Sequence, residues 1–373
     1  MDASRIDSRI FASADALLAE AVADGVIPGA SYCVRSSEVV HHRYTVGDAE
    51  LRPQRRPATD QTAWDLASLT KVMATTPIAM ALVHEGRLSP DDLVTRWVMG
   101  GPPGATVGHL LSHSSGLPAW CSFSDALGVD GAGSKSKRAE VLAYASSVDP
   151  EAPPGASYRY SDIGFLVLCA VLERAGDASL EDLFERYVAV PSGVDLRWGW
   201  PSAAATEDCP ARGRVVVGEV HDLNAWLMGG VSTHAGLFGT ASSVAALGAW
   251  QIRAFNGCET EGLSPEVVRR FFGAEGAGSH RWGWDGVSSG GSAGHLWPRD
   301  GVGHLAFTGC SIWMAPRQDL IVALCTNRVH PDIEGGAVPD APISPRYAAF
   351  RALRPAVHTE IVTALVGCSA WPR

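Results

Sequence analysis

Ala67-Ser68-Leu69-Thr70-Lys71 leads into a largely apolar run, Val72 to Glu85, that reads as a buried helix. With Ser68 and Lys71 three residues apart in its first turn, both side chains share one face. A hydroxyl then lies beside an amine, which can take the hydroxyl proton if burial or a neighbouring cation lowers its pKa. The N–H groups of a first turn favour negative charge developing at the same place. These are the parts of an acyl-transfer nucleophile. Ser-x-x-Lys also arises by chance on surface helices, so support has to come from elsewhere in the chain.

The length, 373 residues, exceeds what one hydrophobic core usually serves, and two lobes sharing a cleft are expected. A net charge of -10 with no concentrated Lys/Arg stripe disfavours nucleic acid and anionic membrane surfaces as partners. No apolar run is long enough to span a bilayer. The start, Met1 to Gly25, has no signal-peptide apolar core. As the sequence stands a cytoplasmic protein is expected, or a periplasmic or secreted one if an export signal has been removed. The eight cysteines include no Cys-x-x-Cys pair, and buried free thiols are expected.

Ile6 to Val26 reads as a helix, and Ala30–Val34 and Val39–Val46 as strands joined at Ser36-Ser37-Glu38. Pro77 should kink the helix after Ser68 or end its first part. Helices are also expected at Arg138–Ser146, Ser161–Arg174, Leu180–Val188, His221–Leu227, Ser242–Phe255 and Pro265–Phe272, with an irregular stretch from Pro191 to Gly213. After residue 280 the texture becomes strand-like, at Arg281–Val287, Val302–Phe307, Gly309–Ala315 and Asp319–Thr326. A closing helix is expected to break at Pro355. The fold class is therefore α/β (α+β): residues 1–75 and 275–373 form a sheet lobe from both termini, and residues 76–274 a mainly helical inserted lobe.

Two further positions carry chemistry. Tyr160 follows the breakers Pro153-Pro154-Gly155 and precedes a helix, a rigid mounting for a hydroxyl, and a phenol near an ammonium titrates lower than one in water. His304 lies in Gly303-His304-Leu305-Ala306-Phe307-Thr308-Gly309, at the start or edge of a strand, where it could donate to a substrate or orient the tyrosine. The N–H groups of Ser68 and Phe307 could together hold an oxyanion.

Ser68-Leu69-Thr70-Lys71, then Tyr160-Ser161-Asp162, then His304-Leu305-Ala306 resemble the three ordered elements of the serine β-lactamase and penicillin-binding-protein superfamily. The similarity is greatest to its class C-like branch of esterases and D-peptidases. Leu110-Leu111-Ser112-His113-Ser114-Ser115-Gly116-Leu117-Pro118, Val220 to Ala225 and His234 to Phe238 support it, and it runs from about residue 15 to residue 365. The resemblance implies an antiparallel sheet flanked by helices beside an all-helical lobe, with the site in the cleft. It implies Ser68 as the acylated nucleophile, Lys71 as its proton acceptor or charge balance, and Tyr160 as general base and proton carrier to the leaving group. His304 stands for the Lys or His of the third element, and the nitrogens of Ser68 and Phe307 for the oxyanion hole.

Three positions depart from the pattern. Asp162 stands where many relatives have Asn, and its carboxylate would lie near substrate or pair with Lys71. Leu305 and Ala306 replace the usual Thr and Gly, removing a carboxylate-holding hydroxyl and adding a methyl beside the substrate. All three are substrate-binding candidates, and the changes at 305 and 306 favour ester cleavage over lactam or peptide-terminus cleavage. The expected enzyme is a metal-independent, cofactor-free serine hydrolase of small or medium acyl esters. A D-Ala-D-Ala carboxypeptidase, D-aminopeptidase or weak β-lactamase is the alternative, and a non-catalytic binding protein on the same fold the third. Its partner would be a small ester, amide or lactam, and the oligomeric state is open. His41, His42, His113, His221, His234 and His304 lack the paired spacing of zinc helices, so no metal site is expected. No Gly-x-Ser-x-Gly elbow is present.

Overall fold

The computed structural model describes residues 6–333 and 343–368. Three strands follow the first helix (Ala12–Ala23): β1 Gly29–Arg35, β2 Val40–Glu50 and β3 Arg56–Pro57. The short β4, Trp64–Asp65, leads directly to Ser68. The middle of the chain contributes β5 Arg197–Trp198, β6 Ala205–Cys209, β7 Arg214–Val217 and β8 Leu237–Gly239. The end supplies β9 Asp285–Gly286, β10 Val302–Leu305, β11 Ser311–Ala315 and β12 Leu320–Thr326.

The main sheet has seven strands in the order β3-β2-β1-β12-β11-β10-β9, every pairing antiparallel. Both ends of the chain thus meet at its centre, where β1 pairs with β12 from Ala30 opposite Thr326 to Arg35 opposite Ile321. Strands buried on both faces read as continuous apolar runs, and all seven residues of β12, Leu-Ile-Val-Ala-Leu-Cys-Thr, are buried. One face packs on the Ala12–Ala23 and Pro345–Val366 helices through Leu18, Val322, Leu324, Val357 and Ile361. The other carries the larger core, with the Thr76–His84, Asp162–Gly176 and Ala241–Phe255 helices. The Ala241–Phe255 helix lies directly on the sheet although it belongs to the stretch 76–274, because Gly248 admits Ile312, Met314 and Ile321 against its backbone.

Several sequence expectations change. The stretch Pro191–Gly213 is not irregular throughout: it holds β5 and the first strand of a β6–β7 hairpin that turns at Pro210 to Gly213. The strand expected at Arg281–Val287 shrinks to β9, preceded by Gly283 at φ +84°. The closing helix runs unbroken through Pro355. An internal proline costs about 3 kcal/mol, and here the burial of Phe350, Leu353, Val357, Ile361 and Leu365 against the sheet opposes that cost.

The segment after Ser68 is not a plain helix. Ala67–Leu69 is a 3₁₀ turn, Lys71–Thr75 a π turn, and the α-helix begins only at Thr76. Pro77 explains the change, since it has no N–H to offer the turn behind it. The Lys71 carbonyl accepts from the Thr76 N–H and also from its hydroxyl at 2.8 Å. The Val72 carbonyl accepts instead from Gln251 Nε2 at 3.4 Å.

Candidate active site

Ser68 is mounted on strained backbone. Ala67 before it has φ +41°, which costs an L-residue about 1–2 kcal/mol. The buried Asp65 carboxylate holds it there, accepting from Ala67 N at 2.8 Å and from His221 N at 2.6 Å. Burial pushes the Asp65 carboxyl up to about 6 despite those two bonds. Thr70 and Thr75 tie the segment to the His234 loop: Leu237 N donates to Thr70 Oγ1 at 3.1 Å, and Thr75 Oγ1 donates to the Thr233 carbonyl at 2.7 Å.

Lys71 is fully buried and its ammonium donates to Ser68 Oγ at 3.1 Å, to Asp162 Oδ1 at 2.6 Å and to the His234 carbonyl at 3.4 Å. Burial disfavours the charged amine, but the carboxylate of Asp162 and the Tyr160 oxygen together outweigh it, and the Lys71 pKa lies above its ordinary value. The resting residue is therefore an ammonium, not an amine with a lowered pKa, and Asp162 balances its charge. Of the two places foreseen for the Asp162 carboxylate, it takes the ion pair with Lys71.

The Tyr160 hydroxyl interacts with both Lys71 and Ser68, and Lys71 Nζ lies 4.8 Å from its ring centroid. The phenol pKa is raised, because burial outweighs the opposing pull of Lys71. This also corrects the expected lowering: the resting phenol keeps its proton. The Leu110–Pro118 phrase builds this corner. His113, at φ +54°, accepts the Ser161 N–H on Nδ1 at 3.0 Å, and its carbonyl accepts Arg159 N at 2.9 Å. Pro118 O accepts Ser161 Oγ at 2.6 Å, and Ala119 O accepts Asp162 N at 2.8 Å. Ser161 Oγ also caps the Asp162–Gly176 helix through Gly164 N.

His304 pairs with Ile312 of β11, while β9 reaches only as far as Gly303 on the other side, so the histidine sits where the ladder opens onto the cavity. Its Nδ1 donates to the Leu305 carbonyl at 2.7 Å, and burial holds its pKa well below the ordinary value. The neutral ring therefore has a bare lone pair on Nε2, which finds no partner. It can accept a hydrogen bond there, not donate one as expected. Leu305, Ala306 and Phe307 line a cavity of about 320 Å³ together with Ser68, Tyr160, Asp162 and His304. Ser68, Asp162 and Phe307 also line a second cavity of about 360 Å³, together with Trp120. Among the described residues, the N–H groups of Ser68 and Phe307 have no protein acceptor.

The structure brings together three residues that sequence spacing had kept apart. Ring nitrogens of His113, His280 and His304 lie within 4.8 Å of one another, all buried. Their donor chemistry does not suit a metal ion. His113 Nδ1 spends its lone pair on the Ser161 N–H, so its Nε2 carries the proton and offers no lone pair. Arg328 and Arg354, both buried, also line the first cavity. Sequence reading missed His280 and both arginines. Arg354 had one signal, a charge within the apolar 3–4 spacing of Phe350, Leu353, Val357 and Ile361.

The family model described as Beta-lactamase matches residues 14–340. A putative D-alanyl-D-alanine carboxypeptidase of Escherichia coli O157:H7 is 26% identical over 347 residues, covering 82% of this chain and 80% of its own. Among solved structures, EstCE1, a hydrolase with promiscuous acyltransferase activity, superposes with TM-score 0.72 at 22% identity, over 94% of this chain and 99% of its own. The octameric penicillin-binding protein homologue from Pyrococcus abyssi gives TM-score 0.70 at 22% identity, over 96% of this chain and 78% of its own. With the family model spanning most of its length, this chain belongs to the beta-lactamase family of serine hydrolases.

Proposed function

We propose that this protein hydrolyses small or medium acyl esters through an acyl-enzyme on Ser68. The observation that carries the reading is Lys71 Nζ standing 3.1 Å from Ser68 Oγ and 2.6 Å from Asp162 Oδ1, with the Tyr160 hydroxyl against the same pair. As Ser68 Oγ attacks, its proton passes to Lys71, which hands one of its own along the short contact to Asp162. The carbonyl oxygen gains negative charge between the Ser68 and Phe307 N–H groups. Tyr160, protonated at rest, gives its proton to the departing alkoxide and is reprotonated from Asp162 through Lys71. Water then enters in place of the alcohol, and the same path runs in reverse to free the acid.

Leu305 and Ala306, in place of a hydroxyl-bearing residue and a glycine, support an ester over a lactam. A second reading, cleavage of D-alanyl-D-alanine ends, draws on what the bacterial relatives are named for. A panel of p-nitrophenyl esters, a chromogenic cephalosporin and a D-Ala-D-Ala peptide tests both. The ester reading expects turnover of esters above the other two and a single fluorophosphonate adduct on Ser68. Unchanged turnover in Ser68→Ala would exclude it.

A further inference from the structure

Buried cations are almost always paired, because removing a charge from water is expensive unless an opposite charge receives it. Arg328 and Arg354 are 6% and 8% exposed. Neither side chain has a hydrogen bond or a salt bridge to a carboxylate among the described residues, and Arg354 Nε and Nη1 are buried with no partner. Both guanidinium groups lie against aromatic rings. Arg328 lies 4.8 Å from the Phe307 and Tyr347 ring centroids and 5.4 Å from that of Phe350, while Arg354 lies 4.8 Å from that of Phe350. Stacking on rings holds the guanidinium planes but leaves their in-plane N–H groups unused.

Both arginines line the cavity that Ser68 opens onto. Burial, together with repulsion from Arg346 at Arg328 and from Arg328 at Arg354, pushes both down to about 10, so both remain charged at neutral pH. Of the two acidic residues on that wall, Asp162 is taken by Lys71 and Asp285 lies against the neutral His280 ring at 3.5 Å; neither forms an ion pair with either arginine. The cavity therefore has two buried positive charges that no acidic residue among the described ones pairs with. We propose that Arg328 and Arg354 form a subsite for a doubly charged oxyanion group of the substrate, a dicarboxylate or a phosphate monoester, held beside Ser68 at the end of the cavity formed by the Pro345–Val366 helix. One carboxylate, such as a peptide terminus carries, would leave one buried cation unbalanced; a dianion balances both. The subsite names the substrate class for the ester hydrolysis proposed above and rests on that reading only for the cleavage itself.

Binding is measured apart from turnover. Ser68→Ala is titrated by calorimetry with benzoate, phthalate and phenyl phosphate. Phthalate or phenyl phosphate is expected to bind at least tenfold more tightly than benzoate, and whichever binds better identifies the oxyanion. Arg328→Gln or Arg354→Gln, added to Ser68→Ala, should remove at least tenfold of that affinity. Equal binding of all three ligands, no binding of any, or a preference surviving both substitutions overturns the subsite. In the Ser68 enzyme, the ratio of kcat/KM for 4-butyryloxyphthalate to that for phenyl butyrate should exceed ten and fall towards one in either arginine variant. Arginine-dependent binding without turnover of either ester would sink the esterase reading and leave the subsite standing. Turnover with a ratio near one in the Ser68 enzyme would do the reverse.

Discussion

Lys71 and Asp162 form a buried ion pair across 2.6 Å, joining the turn after Ser68 to the first residue of a helix that begins 91 positions later. The contact bears on the protonation of the site, since the carboxylate, with the Tyr160 oxygen, favours the ammonium against the burial that disfavours it.

Asp162→Asn should therefore change the pH profile as well as the rate. Without the carboxylate, the Lys71 pKa falls towards and below its ordinary value, and the Ser68 proton has no second stop. We expect kcat on a neutral ester to fall by about 10–100-fold, and activity to rise with pH as Lys71 loses its proton. A variant with the parent rate and parent profile would remove Asp162 from the proton path.

Ser68→Ala should abolish both turnover and the fluorophosphonate adduct. Lys71→Ala and Tyr160→Phe should each slow acylation by about 10²–10⁴-fold. Single-turnover kinetics with a p-nitrophenyl ester separates the acylation step from deacylation and shows which of the two each residue serves.

Gly309 closes the turn that contains Phe307, its N–H donating to the Ala306 carbonyl at 3.0 Å. Its φ is +104°, and a Cβ there would stand 2.2 Å from Thr326 Oγ1. Gly309→Ala should displace the loop, cost kcat about 10²-fold as one oxyanion donor moves, and leave the Ser68–Lys71–Asp162 contacts in place. Steady-state kinetics checks this, with the fluorophosphonate adduct as control for a folded site.

The histidine cluster should make the fold acid-sensitive. Burial lowers His280 from 6.5 to about 4, against the opposing pull of Asp285, and holds His113 and His304 well below their ordinary value. Between pH 6.5 and about 4 the unfolded chain takes up protons that the folded chain refuses. The contribution of His280 is therefore full above 6.5 and is lost as pH falls, by about 3 kcal/mol once both states are protonated, with the raised Asp65 carboxyl opposing part of the loss. Melting temperatures across that window should fall with pH, and His280→Gln should flatten the slope.

The sheet was legible because its strands are written in plain terms: alternating or wholly apolar runs with a turn at Ser36-Ser37-Glu38 and another at Pro316-Arg317-Gln318-Asp319. β5 and β8 were not, since two- and three-residue strands are set by the neighbour they pair with and have no period of their own. Ser68, Lys71 and Tyr160 could be named from motif order, and the structure brings them into one group. Their protonation could not be named, because it depends on a 2.6 Å distance between two segments. His280 and Arg328 carry no local signature, and Arg354 only its place within an apolar spacing; the closing of the sheet puts all three on the cavity that Ser68 lines.

The pairing of β1 with β12 joins residues 29–35 to residues 320–326. A ribosome has to deliver everything from β1 through Thr326 before that ladder can form. Until then β1 has an open edge towards the missing strand, a template for any other extended segment. Production in cells should accordingly depend on how quickly synthesis finishes and on chaperones that shield the waiting hairpin. Versions shortened ahead of Leu320 should collect as aggregates instead of smaller working enzymes.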